Sequence, residues 1–413
     1  MPLKKNILCC LLIFGSLAVQ ASSTLDSNLI SKIKSIAASV GKTYAPDKRT
    51  AIFSYELKDS TTTELGLTLE TTLPAAVQAL RDAFHSAGLK VNVVPTVLPA
   101  AELGNKVFGL VSISVTNNRK MPGHAAEMMT QMLMGTPVQL LKKERGYYLV
   151  RSPDGYISWV DNGAIAIMDA AAMQDWKNAK KLVYIADYGF SYSSANEQSV
   201  RVSDLVNGAV FKVLGKEKGF YKIAYPDQRI AYVLVKDATD YNTWAARPNP
   251  NATQILNTAK TLMGVPYLWG GTSVKGVDCS GFTKTSYFLN GIILPRDASQ
   301  QALVGEVVDI YEADTVNLAK CIKNLLPGDL LFFAANKGKM PNPRVTHTAI
   351  YMGNGQFIQS AGMVRINSFD PAAADYEAYH SKTFVSARRM LNSIGKPEIS
   401  RIDQHEFYTT IKP

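Results

Sequence analysis

At 413 residues the chain is too long for one compact core, so about three domains are expected. Its 46% hydrophobic and 19% charged residues are the composition of an ordinary globular protein, and four cysteines are too few for a disulfide scaffold. A net charge of +10 suits plain solubility as well as contact with anionic envelope polymers or lipid head groups.

The chain opens with Lys4 and Lys5 ahead of an apolar run from Ile7 to Val19. Small residues in "VQASS" then offer cleavage after Ala21. The run is too short to span a bilayer comfortably, so residues 1–21 read as a secretory signal peptide. The mature chain is expected to be exported to the periplasm or cell envelope, with no stable membrane insertion once the signal is removed. Cys9 and Cys10 lie inside the apolar run rather than after it, so a lipid-anchored cysteine is not indicated. Losing Lys4 and Lys5 lowers the charge to +8.

Residues 25–118 read as a small N-terminal α+β domain. "AIFSYEL" and "LGLTLETT" have strand character, a helix runs from Pro74 to Gly88, and "KVNVVP" and "VFGLVSISVT" supply further strands. No reactive constellation is visible there. The next stretch repeats itself. A shift of 73 positions lays Lys142–Val160 on Gly215–Val233 without a gap, matching Glu144 with Glu217, Gly146 with Gly219, Tyr148 with Tyr221 and Asp154 with Asp227. Short alternating strands broken by a Gly turn and a Pro-Asp turn predict two small β-barrels, 120–178 and 180–240. They resemble bacterial SH3-like domains. The copies differ where the first has Asp154-Gly155-Tyr156 and the second Asp227-Gln228-Arg229, which makes the first the better ligand-binding candidate.

The polar, proline-bearing "AARPNPNATQ" links to a third domain, 250–394, followed by a charged tail without assignment. Cys279 and Cys321 are the cysteines outside the signal peptide. Cys321, with Leu318 and Leu325 at helical spacing, reads as a core residue. Cys279 follows Asp278, a good N-cap, in a helix predicted to close at Gly291. There the partial positive charge of unpaired N–H groups favours a thiolate. The bland alternative is a capped helix with a small buried cysteine, and a base decides between the two.

Of five histidines, His85 lies in the N-terminal helix, His405 in the tail, and His124 and His380 in polar surroundings without an orienting partner. His347 stands apart, because "THTAIYMGNGQFIQSAG" reads as a hairpin with an Asn-Gly turn. With a Gly353-Asn354-Gly355 loop, opposed residue numbers sum to 708. Gln359 then faces Ala349 and lies diagonally, about 7–8 Å away, from His347 on the same side. A two-residue loop would put the two on opposite faces.

"PYLWGG", "DCSGF", "LPRDAS", "PGDLLFF", "THTAIYMGNG" and "FIQSAG" occur in the order and approximate spacing of the NlpC/P60 cysteine peptidases, which the third domain resembles over residues 255–390. The resemblance implies an α+β protein with a papain-like catalytic domain behind two SH3-like barrels and the N-terminal domain. It makes Cys279 the nucleophile, His347 the general base and Gln359 the third polar residue, where many relatives have histidine. The chain departs from the family in the long insert "AANKGKMPNPRVT" before His347. The whole arrangement is similar to γ-D-glutamyl-L-diamino acid endopeptidases, in which the first SH3-like domain closes one end of the cleft and recognises a free L-alanine amine.

By that likeness Glu127, Tyr156, Tyr267, Trp269, Asp278, Ser280 and Arg296 are substrate-binding candidates. An ammonium wants Asp278, Glu127 or Tyr156, and a D-glutamate α-carboxylate wants Arg296 or Ser280. No metal or other cofactor is called for, since four ligands at zinc spacing are not visible. The expected partners are peptidoglycan-derived peptides, with no nucleic acid and a monomeric chain. The alternatives are a papain-like amidase or acyltransferase acting on another acyl group, and a non-catalytic wall-binding protein.

Overall fold

The computed structural model describes residues 27–58, 65–313, 315–340 and 342–409. The signal-peptide reading lies outside them. No described helix is long and apolar enough to cross a membrane.

The N-terminal unit packs the helices Ser27–Tyr44 and Pro74–Ser86 on three strands, Phe53–Lys58, Leu65–Thr71 and Val91–Val97. The first pair is antiparallel and the second parallel, as a strand–helix–strand connection requires. Pro74 opens its helix, where a missing N–H costs nothing. Ile33, Leu67, Leu80 and Phe84 close a small core.

The run "VFGLVSISVT" does not belong to this unit. Its strands, Phe108–Val111 and Val115–Arg119, pair into a seven-stranded sheet ordered Ile165–Met168, Phe108–Val111, Pro137–Glu144, Tyr147–Arg151, Ile157–Asp161, Val115–Arg119 and Met128–Leu133. A second seven-stranded sheet repeats this order strand for strand, each strand beginning 73 residues later, from Lys181–Tyr184 to Ala238–Asp240. Even the ladder irregularity at Asn118/Arg119 returns at Ser191/Tyr192. The internal repeat is therefore about forty residues longer than the matched sequence segments, because strands keep their fold while their residues drift.

The last unit centres on a six-stranded antiparallel sheet ordered Glu306–Val307, Phe384–Arg389, Leu330–Phe333, His347–Gly353, Gln356–Ala361 and Met363–Ser368. Both faces are covered, so its strands are apolar at successive positions. Leu330, Phe332, Ile350 and Ile358 meet Phe282 and Tyr287 of the Cys279–Phe288 helix. Leu331, Phe333, Tyr351 and Phe357 meet Phe369, Phe384 and Cys321 on the other side. Cys321 is buried and forms no disulfide, as a core residue.

The units are tied by specific contacts. Gln131 of the first repeat bonds the Thr272 amide and hydroxyl (both 3.0 Å), Lys284 of the cysteine helix pairs with the buried Asp154 (3.0 Å), and Arg229 of the second repeat donates to the Ser112 carbonyl (2.9 Å).

Candidate active site

Asp278 organises the start of the cysteine helix. Its extended backbone breaks the preceding chain, and its Oδ1 accepts from the Gly281 amide at 2.6 Å, capping the first turn. Oδ2 accepts from the Gly270 amide (2.8 Å), and Arg296 grips both oxygens at 3.1 and 2.6 Å. Gly281 is required because a Cβ there would collide with the Gly271 carbonyl oxygen. Cys279 thus occupies the first helical position with its sulfur almost covered.

The helix terminus does not leave a resting thiolate. Burial, with the Asp278 carboxylate adding to it, pushes the Cys279 thiol up to about 12, against the backbone amides of Thr348 and Ser280 and the Arg296 charge. Desolvation outweighs the helix terminus at this depth. The Thr348 amide that supports the sulfur directly follows His347, so the two elements meet there.

The hairpin keeps the expected register by a different route. Ile350 faces Ile358 and Tyr351 faces Phe357, both summing to 708, but the ladder then shifts and Gly353 faces Gln356. The turn is therefore the two-residue Asn354-Gly355, with positive φ at both (52° and 78°), and a bulge at Met352 supplies the odd residue. Parity is preserved, and His347 Nε2 lies 2.6 Å from Gln359 Oε1.

A chain of one-way acceptors fixes the imidazole tautomer. The Asp375 carbonyl can only accept, so Asn367 turns its Nδ2 to it (3.2 Å) and its Oδ1 to Gln359 Nε2 (2.8 Å). Gln359 must then present Oε1 to His347, whose Nε2 carries the proton and whose Nδ1 is free to accept one. Burial pushes the ring down to about 4, against the Gln359 bond. At neutral pH the pair rests as thiol and neutral imidazole.

Cys279 opens onto a cleft of about 560 Å³ shared by three units. From the third come Tyr267, Asp278 and Ser280, with Trp269, which is 60% exposed and so not a core residue. Burial first, then the neighbouring Cys279 and Asp278, holds the Tyr267 phenol well above its ordinary pKa, so its hydroxyl remains a donor beside the sulfur. From the first repeat come Glu127, paired with Lys120 at 3.2 Å, and the buried Tyr156, whose hydroxyl donates to Asp297 Oδ2 (3.1 Å). The same position of the second repeat, Arg229, is spent on holding the first repeat.

Arg296 is not a cleft residue. It is 1% exposed, and four of its donors are taken by Asp278, Ser280 (3.0 Å) and Thr130 (2.9 Å), which leaves no free face for a substrate carboxylate. Asp278, both of whose oxygens are filled by Arg296 and the Gly270 and Gly281 amides, is likewise poorly suited to a substrate ammonium.

The sequence reading missed four contributors to this region. Arg49, on the loop leaving the N-terminal helix, holds Asp47 with Nε and Nη2 and Asp297 and Ser299 with Nη1 (2.8 and 2.9 Å). Asp297 joins Arg49 to Tyr156. Arg344, in the insert before His347, lines the cleft without an acid partner among the described residues. Asn367 orients Gln359.

A cysteine at a helix start, its sulfur near the amide of Thr348, and the adjoining strand histidine with its tautomer fixed from behind are the parts of a cysteine hydrolase. Comparison with known proteins narrows this. The NlpC/P60 family model matches residues 264–389, and the bacterial dipeptidyl-peptidase SH3 domain model matches residues 118–165. A γ-D-glutamyl-L-lysine dipeptidyl-peptidase of Bacillus cereus is 30% identical over 57% of this chain and 68% of its own length. A probable endopeptidase NlpC of Escherichia coli is 38% identical over 31% of this chain and 70% of its own. The crystal structure of an NlpC/P60 family protein from Bacillus cereus aligns with a TM-score of 0.55 at 23% identity, covering 68% of this chain and 99% of that one, a likeness of fold. The chain belongs to the NlpC/P60 family of cysteine peptidases, with an SH3-like domain ahead of the catalytic one.

Proposed function

We propose that this protein is an exported endopeptidase that hydrolyses the bond between γ-D-glutamate and an L-diamino acid in cell-wall peptides carrying a free N-terminal L-alanine. The observation that carries the reading is the composition of the cleft. Cys279 shares it with Glu127 and Tyr156 of the first repeat, which puts an acid and a phenol where a short, positively charged peptide end would stop. The names of the relatives in Bacillus point the same way.

In this reading the Cys279 sulfur attacks the γ-carbonyl carbon as its proton passes to His347 Nδ1. The oxyanion is met by the Tyr267 hydroxyl and backbone amides at the helix start. Collapse of the intermediate breaks the C–N bond, and the imidazolium protonates the leaving amine. Water, deprotonated by His347, then hydrolyses the thioester. The ammonium of the substrate is taken by Glu127, Tyr156 and Asp297. Its α-carboxylate is taken by Arg344, a cleft cation without an acid partner among the described residues, in place of the buried Arg296.

Mass spectrometry of products from free L-Ala-γ-D-Glu-diamino acid tripeptide and from the same stem attached to glycan tests this directly. Release of L-Ala-D-Glu from the free tripeptide alone, abolished by Cys279→Ala, is the expected outcome. Release of no dipeptide from either substrate would overturn it.

A further inference from the structure

His380 lies on the short helix Ala378–Thr383 among the rings of Phe333, Phe357 and Tyr379. Its side chain is 9% accessible. The ring lies over that of His347, with centroids 4.5 Å apart and planes 32° from parallel, and its edges meet Phe333 (5.0 Å) and Tyr379 (5.3 Å). Nδ1 is 3.4 Å from Gln359 Nε2.

The polarity argued above reaches this ring too. Gln359 Nε2 has two hydrogens; one goes to Asn367, and the other faces His380 Nδ1, which must therefore be unprotonated. We propose that His380 is a positioning residue for the reaction, a neutral imidazole that stacks on His347 and accepts from Gln359, so locking the amide orientation that dictates the His347 tautomer. The proposal rests on His347 acting as the base. It supplies what a neutral glutamine alone lacks: a second restraint on the amide, and an aromatic face for the imidazolium that forms when the thiol proton is transferred.

A proton on His380 would set N–H against N–H at Gln359 and favour an amide flip, leaving His347 Nε2 opposite a donor. The surroundings oppose that proton. Burial first, then His347 and Arg365, push His380 down to about 3. Glu377, whose Oε1 is 3.9 Å from Nδ1, works in the other direction, but it is shared with Arg365 at 3.1 Å.

The test compares His380→Phe, which keeps the stacked ring and removes the acceptor, with His380→Asn, which restores an acceptor. Three readouts are followed: peptide hydrolysis, alkylation of Cys279 by iodoacetamide, and the His347 tautomer by nitrogen-15 NMR. His380→Phe is expected to lower kcat and the alkylation rate by at least about tenfold with KM unchanged, a fraction of what a general base contributes, and to populate the Nδ1-protonated tautomer. His380→Asn is expected to recover part of both. A folded His380→Phe protein with the wild-type tautomer and alkylation rate would overturn the proposal. The alkylation and NMR arms need no substrate, so a wrong substrate assignment shows separately as an inactive wild type. A wrong base shows as His347→Ala alkylating at the wild-type rate.

Discussion

At the scale of single residues, the environment of Cys279 and His347 makes a definite statement about proton position. Burial raises the thiol to about 12 and lowers the imidazole to about 4, so both groups are neutral across the range between. In the proposed mechanism the reaction therefore begins with a proton transfer rather than from a preformed ion pair. The acid limb of kcat/KM for the free enzyme is expected near pH 4, because only below that does His347 hold the proton that stops it acting as a base. Stability follows with its own sign. Between the ordinary histidine pKa of 6.5 and about 4, the unfolded chain takes up a proton that the folded ring refuses, so stability falls as pH falls through that window. Rates must accordingly be taken on protein shown to be folded by circular dichroism. An acid limb at 6.5 in such protein would mean that the ring is solvated when it works, contrary to its packing here.

At the scale of elements, the start of the cysteine helix depends on one buried ion pair. The Asp278 and Arg296 side chains are 9% and 1% exposed, and Asp278 also caps the helix. Asp278→Ala strands a buried guanidinium and is expected to cost about 3–5 kcal/mol, read as a lower denaturation midpoint. Adding Arg296→Met removes the orphaned charge and should recover a large part of the loss. A single variant within about 1 kcal/mol of wild type would show that Arg296 finds water or another partner. Asp278 was legible in the sequence, because a cap immediately before a helix is a local signal. So was the parity of the hairpin, although the odd residue is a bulge at Met352 rather than a third loop residue. The partners of Phe108–Val111 and Val115–Arg119 were not legible, since alternation announces a strand but not the sheet it joins. Extending the 73-residue shift upstream would have paired them with Lys181–Tyr184 and Tyr188–Tyr192. His380 and Asn367 had no such signal. Each acts through a contact with Gln359 that no local spacing encodes.

At the scale of the whole molecule, the cleft belongs to no single domain. The cysteine helix brings Cys279 and Ser280 to it, the first repeat brings Glu127 and Tyr156, and the second repeat braces the first through Arg229. The N-terminal unit, which offered no chemistry in its sequence, enters through its Asp47–Arg49 loop. Gln300 donates to Asp47 (2.8 Å), the Ile157 amide donates to the Arg49 carbonyl (2.7 Å), and the Arg49 guanidinium reaches Asp297 beside the Tyr156 hydroxyl. Arg49 therefore holds the wall against which the peptide end is proposed to rest, its guanidinium bonded to Asp47, Asp297 and Ser299 and not to Cys279. Its loss should loosen substrate binding and leave the chemical step alone. Because the Arg49–Asp297 pair is about a quarter exposed on each side, its contribution is near 1 kcal/mol, so Arg49→Ala is expected to raise KM roughly fivefold with kcat unchanged. Arg49→Lys, which keeps the charge but cannot hold Asp47 and Asp297 together, should fall between the two. Steady-state kinetics on the free tripeptide decides the matter: a fall in kcat at constant KM would place the influence of this loop on the cysteine itself rather than on the cleft wall.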